Sequence, residues 1–160
     1  MTPGSLERVD DLGAAWLRAW AGETGFATCC APDIQYEDPL ARDPLRGVDA
    51  VEQHAQRLRD AFPDLRIERT GQILADGAYA CVPWRAVGTH KNGTPALPAT
   101  NRFLSLHGLH YFELTDGEVR RARGFYDLYD AATQLGILPA RGGLGESVFL
   151  LLRGFGLRAT

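Results

Sequence analysis

The sequence lacks an excess of basic residues. Its 160 residues include 17 Lys and Arg against 20 Asp and Glu, which leaves a net charge of −3 at pH 7. Proteins that bind nucleic acid depend on clustered positive charge to neutralise backbone phosphates. The charge balance therefore predicts that nucleic acid is not a partner.

Long apolar segments are also missing. A helix that crosses a bilayer needs about 20 apolar residues, whereas the longest aliphatic run covers only residues 148–152. The N-terminus has no basic start followed by an apolar stretch, as a signal peptide requires. We expect a cytoplasmic protein with no membrane partner.

Cysteine is scarce, and its spacing excludes a disulfide framework. The three cysteines are Cys29, Cys30 and Cys81, an odd number that includes an adjacent pair. Free cysteines are usually buried and behave as small apolar side chains. We therefore assign them a structural role.

Metal-ligand and phosphate-binding patterns are absent as well. No His-x-x-x-His helix occurs, and His107 and His110 would diverge if they lie on one strand. The glycines of 142–145 lack the Lys-Ser/Thr of a phosphate-binding loop. We predict no metal ion and no cofactor.

The hydrophobic pattern changes character about one third of the way along the chain. Helical periodicity comes first, and runs of strand-like residues joined by Asp-Gly and Asn-Gly turns follow. The pattern predicts helices at 5–22, 24–30 and 48–62, a short strand at 33–38, and strands at 65–74, 79–88, 103–114 and 119–129.

Helices followed by hairpin-linked strands indicate an α+β fold rather than an alternating parallel one. We expect a cone-shaped, curved antiparallel sheet whose concave side is closed by three N-terminal helices, with an apolar pocket between them. Residues 1–140 would form this domain. Residues 141–160 would be an extension with a short apolar helix that covers the pocket or a subunit interface.

Three short segments resemble one known family in order and spacing. The first is 84–90, which ends in Gly-Thr-His. The second is 108–119, which forms a strand, an Asp-Gly turn and a second strand. The third is Tyr126-Asp127, followed by Gln-Leu-Gly at 134–136. They are similar to segments of the SnoaL-like polyketide cyclases, which belong to the nuclear transport factor 2-like superfamily. The resemblance covers about 9–136. It implies a ring-forming enzyme of secondary metabolism, such as antibiotic biosynthesis.

The resemblance implies that Asp127 is the catalytic acid/base. In an extended strand Asp127 would share a face with Phe125 and Tyr129. Aromatic surroundings remove water from a carboxylate, raise its pKa and suit it to general base catalysis. The alternative is a solvated residue at the end of the strand, or one that pairs with Arg85 or Arg123.

His110 is the second catalytic candidate, because it lies on the apolar stripe that contains Leu104 and Phe112. A neutral imidazole there can donate a hydrogen bond to an enolate oxygen, although it could equally be a core histidine. His107 is a weaker candidate for substrate binding. A regular strand directs it to the opposite face, and only a bulge at Gly108 would bring the two rings together.

Aromatic residues are candidates to line the pocket, although each is also ordinary core material. They are Tyr36, Trp84, Tyr126 and Tyr129.

Three further polar residues receive lesser roles. His90 follows a strand and could bind substrate at the mouth of the pocket, but its position favours a surface loop. We expect Asp38, which precedes Pro39, to serve a turn or a helix cap. His54 has charged neighbours, and we expect it to be exposed.

The sequence thus predicts an intramolecular aldol-type ring closure of a small, hydrophobic, polyketide-like substrate. Asp127 would remove a proton from a carbon between two carbonyls, and His110 would hydrogen-bond the enolate. The pocket would hold the reacting carbons together. A lyase or isomerase that works as a homodimer or homotetramer is expected.

Other functions of the same fold remain open. A hydrolase of the epoxide type would need an Arg-x-Asp pair, which 106–109 lacks. A hydroxylase or a pericyclic ring-forming enzyme would depend more on the shape of the pocket than on an acid/base pair. A non-catalytic small-molecule-binding module would keep the cone and the aromatic residues without a buried Asp-His pair.

Overall fold

A computed structural model describes residues 3–41, 43–94, 97–140 and 142–152 of the chain. The helices and strands follow one another as α1 (Pro3–Ala21), a 3-10 helix (Phe26–Thr28), β1 (Cys30–Glu37), β2 (Leu45–Arg46), α2 (Val48–Ala61), β3 (Arg66–Arg69), β4 (Leu74–Asp76), β5 (Tyr79–Thr89), β6 (Phe103–Thr115), β7 (Glu118–Tyr126), α3 (Leu128–Gln134) and α4 (Leu144–Leu152).

The strands form one seven-stranded sheet in the order β2-β1-β7-β6-β5-β3, and β4 also pairs with β5. Each pair is antiparallel except β1 with β7, which run parallel. The predicted α+β class and curved sheet are confirmed. The parallel pair was not anticipated, because it joins two strands distant in the chain without a hairpin.

Helix α1 is held on the sheet by tryptophans one helical turn apart. Trp16 is completely buried, and its ring meets Phe26 and Phe112 edge-on at centroid distances of 5.1 and 5.0 Å. Trp20 follows four residues later on the same helical face and is 5% exposed. Edge-to-face aromatic packing of this kind adds to the stabilisation from apolar burial.

A glycine in β6 allows an indole ring to lie against the sheet. Gly108 pairs with Trp84 of β5, and a Cβ atom at position 108 would come within 2.2 Å of the Trp84 ring. Any larger residue would displace the indole. Trp84 therefore lies over the backbone of β6 on the side of the sheet that the helices cover.

The end of β7 differs from the sequence prediction. The strand ends at Tyr126 rather than at Tyr129, and α3 begins at Leu128. Asp127 is the N-cap of α3, where its Oδ1 accepts a hydrogen bond of 2.9 Å from the Asp130 N–H. An aspartate that caps a helix in this way favours the helix over a continued strand.

The predicted helix at 24–30 is also wrong in length, since it is a single 3-10 turn and Cys30 already begins β1. Pro32 lies within β1, where the register against β7 shifts between Cys30 and Gln35. The shift accommodates a proline, which cannot donate to a regular ladder.

Helix α4 covers Leu144–Leu152 in the segment where the sequence predicts a short apolar helix. Leu144, Val148 and Leu152 of this helix are 87%, 54% and 82% exposed. Its role as a cover for the pocket or an interface stays a prediction. In the part of the chain that the structure describes, no helix is both long and apolar enough to span a membrane.

Candidate functional site

A cavity of about 300 Å³ lies between the concave face of the sheet and the helices. Its walls are mainly apolar, and its lining includes Trp20, Leu58, Phe62, Ile67, Trp84, Ala86, Leu104, Leu106 and Leu135. The polar groups of the lining come chiefly from Tyr36, Asp38, His90, His110 and Tyr126. Among the described residues of this lining, Asp38 carries the only carboxylate.

The Asp38 carboxylate accepts hydrogen bonds from several directions. Its Oδ1 accepts from the backbone N–H groups of Leu40 and Ala41, both at 2.8 Å. Its Oδ2 accepts from the Tyr36 hydroxyl at 3.0 Å and lies 2.8 Å from Nε2 of His54. Asp38 is 9% exposed, so protein donors largely take the place of water.

These donors keep Asp38 ionised. Burial alone raises the pKa of the carboxyl, because it penalises the charged form. The hydrogen bond and charge of His54, together with the N–H groups of Ala41 and Leu40, outweigh burial and hold the pKa of Asp38 below its usual value. The site therefore contains a carboxylate at neutral pH.

Two tyrosines next to Asp38 remain protonated. Burial raises the pKa of both the Tyr36 and the Tyr126 phenols, and the negative charge of Asp38 raises each pKa further. Tyr126 therefore lies within electrostatic range of the Asp38 side chain. Both hydroxyls can therefore act as hydrogen-bond donors at the carboxylate.

His110 is a neutral, buried imidazole. Burial lowers its pKa to about 3, and the charge of Asp38 opposes this only in part. The ring stacks on Trp20 at a centroid distance of 5.7 Å. Its Nε2 lies 3.4 Å from the Tyr36 hydroxyl. Because Tyr36 donates its single proton to Asp38, Nε2 of His110 must be the donor in this contact.

The contacts form a continuous chain of hydrogen bonds from His110 through Tyr36 and Asp38 to His54. We refer to these four residues together with Tyr126 as the Asp38 cluster. Such a chain can hold a proton at one atom while a neighbouring group donates or accepts. It has the composition expected for acid/base chemistry.

Gly124 of β7 makes room for the Asp38 cluster. A Cβ atom at this position would lie 2.8 Å from the Tyr36 hydroxyl, 3.2 Å from Cβ of Asp38 and 3.3 Å from Nε2 of His110. Three side chains from two other strands and a turn thus converge on a place that only glycine leaves open.

The structure brings together five of the eight residues that the sequence indicated for the site. Tyr36, Trp84, His90, His110 and Tyr126 all line the cavity.

The other three predicted site residues lie away from the cavity lining. Asp127 is exposed at the N-terminus of α3, and its catalytic role stays a prediction. The Tyr129 hydroxyl donates to the Pro139 carbonyl at 3.1 Å. His107 is exposed on the outer face of the sheet, because the pairing of β5 with β6 passes through Gly108 without a bulge.

Two members of the Asp38 cluster were not recognised as functional in the sequence. Asp38 does serve the predicted turn, but through Oδ1 alone, which leaves Oδ2 for the cluster. The expectation that His54 is exposed is wrong, since it is 6% exposed. His54 shares the buried face of α2 with Val51 and Ala55, and this spacing was visible in the sequence.

His90 is buried rather than part of a surface loop. It is 3% exposed, and its ring packs on Phe62 at a centroid distance of 5.3 Å. The backbone N–H of Thr100 donates to its Nδ1 at 3.2 Å. In the described ranges, no three His, Cys, Asp or Glu side chains converge as a metal site would require.

Comparison with known proteins gives one family. The model of the SnoaL-like polyketide cyclases matches residues 14–135. No individual curated protein sequence matches the chain significantly.

Several solved structures share the fold. A protein from Jannaschia sp. CCS1, named as a SnoaL-like polyketide cyclase, superposes with a TM-score of 0.75 at 17% identity, covering 87% of this chain and 98% of that one. IdmH from Streptomyces antibioticus, named as a polyketide cyclase, has a TM-score of 0.68 at 24% identity, with 79% and 97% covered. AclR from Streptomyces galilaeus, named as a hydroxylase, has a TM-score of 0.66 at 21% identity, with 92% and 90% covered.

Replacing Gly124 with alanine should destabilise the protein. The added methyl group would push against Tyr36, Asp38 and His110, and such overpacking costs about 1–3 kcal/mol. Urea unfolding measures this loss. Gly71→Ala is the control, because a Cβ atom there meets only Pro83 at an ordinary 3.5 Å. Equal stability of the two variants would contradict the close packing at Gly124.

The depressed pKa of His110 should make the protein less stable in acid. Between pH 6.5 and about 3 the unfolded chain protonates this histidine while the folded chain does not, so stability falls as the pH falls. From pH 6.5 to 4.5 this histidine should lower the free energy of unfolding by about 2 kcal/mol. Urea unfolding across this range should show a smaller loss in His110→Phe than in the wild type. His107→Phe, the same change at an exposed histidine, is the control, and an unchanged pH dependence in His110→Phe would refute the assignment.

Proposed function

Because this chain belongs to the SnoaL-like polyketide cyclase family, we propose that it closes a ring in a polyketide-derived substrate by an intramolecular aldol reaction that needs no cofactor. The observation that carries the proposal is the Asp38 carboxylate, which lines an apolar cavity and is surrounded by proton-bearing groups. Asp38, rather than Asp127, would be the catalytic base.

The cavity suits a small hydrophobic substrate. Its volume of about 300 Å³ and its aliphatic and aromatic walls match sites that enclose apolar ligands and use few polar groups to orient them. Enclosure would fold the flexible chain of the substrate so that its reacting carbons meet. Such positioning supplies a large part of the rate gain of an intramolecular reaction.

In the first step the Asp38 Oδ2 atom would take a proton from a carbon between two carbonyl groups. In the structure the Tyr36 hydroxyl donates to this oxygen, and Tyr126 lies near the same carboxylate. A substrate oxygen that accepts a hydrogen bond from one of the tyrosines would draw it away from Asp38. With fewer donors in a desolvated site the pKa of the carboxyl rises, and Asp38 becomes a stronger base.

The tyrosines would stabilise the resulting enolate. Tyr36 and Tyr126 keep their protons, so each can donate a hydrogen bond to the enolate oxygen. The enolate carbon then attacks a second carbonyl carbon of the same molecule, which forms the new carbon–carbon bond and an alkoxide. The proton held on Asp38 passes to the alkoxide, directly or through a tyrosine, and the carboxylate is restored.

His110 would orient the Tyr36 hydroxyl during the reaction while its own imidazole stays neutral. Its Nε2–H donates towards the Tyr36 hydroxyl, which leaves the Tyr36 proton directed at Asp38 or at a substrate oxygen. His54 contacts Asp38 from α2 and keeps the carboxylate in place. The expected homodimer or homotetramer and the cytoplasmic location stay predictions.

The two candidate carboxylates can be compared directly. Asp38→Asn removes the base, and we expect it to slow proton removal at least 100-fold, the size of a typical general base contribution. Asp127→Asn should change the rate less than threefold, because asparagine is also a good N-cap and Asp127 is exposed. The assay is NMR detection of deuterium exchange at the carbon between the carbonyls of a bicyclic β-keto ester, after subtraction of the uncatalysed rate.

Thermal unfolding of both variants shows whether each is folded at the assay temperature. Asp33→Asn, the same change at an exposed aspartate, is the control for the exchange rate. A large loss in Asp127→Asn with a near-normal rate in Asp38→Asn would refute the assignment of the base. Exchange at the uncatalysed rate in the wild type would favour a non-catalytic binding module.

A further inference from the structure

We place His90 towards the opposite end of the cavity from the Asp38 cluster, because the strand register separates them. It follows β5 on the face that Trp84, Ala86 and Gly88 share, and its backbone N–H donates to the Arg102 carbonyl at 3.0 Å. Trp84 pairs with Gly108, which in turn pairs with Tyr126 of the cluster. Trp84 and His90 are six positions apart, which is at most about 20 Å along the strand.

The proton of the His90 ring has a defined position. The backbone N–H of Thr100 donates to Nδ1, so Nδ1 presents a lone pair and the neutral ring carries its proton on Nε2. Among the described residues, none accepts a hydrogen bond from Nε2. The packing of the ring on Phe62 and its 3% exposure keep this donor in one orientation.

The cavity wall between the two ends offers almost no competing polar group. Ala86, Leu104 and Leu106 lie between His90 and the Asp38 cluster on the concave face. A bound molecule would therefore meet polar groups at its two ends and apolar side chains along its length.

We propose that Nε2–H of His90 donates a hydrogen bond to a carbonyl or ester oxygen at the distal end of the substrate. The proposal rests on the proposed function of the same cavity and adds a substrate class to it. The substrate is an elongated, largely apolar molecule with oxygen functions at both ends. Anchoring the distal oxygen would determine which carbon reaches Asp38, since a buried donor left unpaired disfavours other placements.

Two substitutions separate this role from a structural one. The side-chain oxygen of His90→Asn can still accept the Thr100 N–H in the place of Nδ1, but no donor remains in the place of Nε2. His90→Gln has the opposite effect, because its longer amide can place an N–H near Nε2 and loses the contact with Thr100. A purely structural histidine would tolerate the first change better than the second.

The test measures binding by calorimetry with two probes of equal length. One is methyl 4-(6-hydroxynaphthalen-2-yl)butanoate, and the other is 6-hexyl-2-naphthol, which has no carbonyl. The readout is the dissociation constant of the ester divided by that of the hexyl compound. We expect this ratio to be about tenfold higher in His90→Asn than in the wild type. His90→Gln should keep most of the wild-type ratio. An unchanged ratio of dissociation constants in His90→Asn, or no binding of either probe by the wild type, would overturn the proposal.

Failure of this proposal can be distinguished from failure of the proposed function. The calorimetric ratio requires no turnover, whereas the exchange assay with Asp38→Asn requires no distal oxygen. A shifted ratio with normal exchange in Asp38→Asn would support the His90 contact and refute the chemistry. An unchanged ratio with slow exchange in Asp38→Asn would refute the His90 contact and support Asp38 as the base.

Discussion

The buried charge of Asp38 is the constraint on which the arrangement of the site depends. A carboxylate removed from water is costly unless hydrogen-bond donors surround it. Here β1 supplies Tyr36, α2 supplies His54, and the turn after β1 supplies two backbone N–H groups. These elements must keep their relative positions for the charge to remain satisfied. The same contacts that stabilise the fold therefore prepare the site.

The cavity borders this charge, and two glycines determine which side chains pack around it. Gly124 admits three side chains to one place, and Gly108 lets the Trp84 indole lie against the sheet. Both glycines lie on strands whose neighbours carry large aromatic groups. The volume they free is filled by the Asp38 cluster and by the tryptophan, while the curved sheet and the helices enclose the space along β5 and β6. An apolar chamber with one charged end is the result.

Much of the fold could be predicted from the sequence, because it depends on local signals. Helical periodicity located α1 and α2 within a few residues, and the Asp-Gly turns located the hairpins. The prediction failed where competition between local preferences decides the outcome. Tyr126 ends β7 on the concave face, and Asp127 leaves the sheet to cap α3. A single residue thus separates a side chain in the cavity from one in solvent.

The site was harder to predict, since it combines residues that are distant in sequence. The resemblance implies Asp127 and the strand pattern favours His110, whereas the sequence around Asp38 predicts only a turn. Yet Asp38 follows Tyr36 by two residues, so both fall on one face if the strand is extended. His54 likewise lies on the buried stripe of α2. The sequence contains both spacings, but only the contact between Asp38 and His54 shows that these two residues act together.

A crystal structure with bound 2-naphthol, whose oxygen resembles that of an enolate, would test the central claim most directly. We expect the bicycle to lie in the cavity, with its oxygen within about 2.6–3.2 Å of Oδ2 of Asp38 or of the Tyr126 hydroxyl. The ring of the ligand should lie against Trp84. An oxygen directed at Asp127, or a ligand bound outside the cavity, would contradict the assignment of Asp38 as the reactive carboxylate.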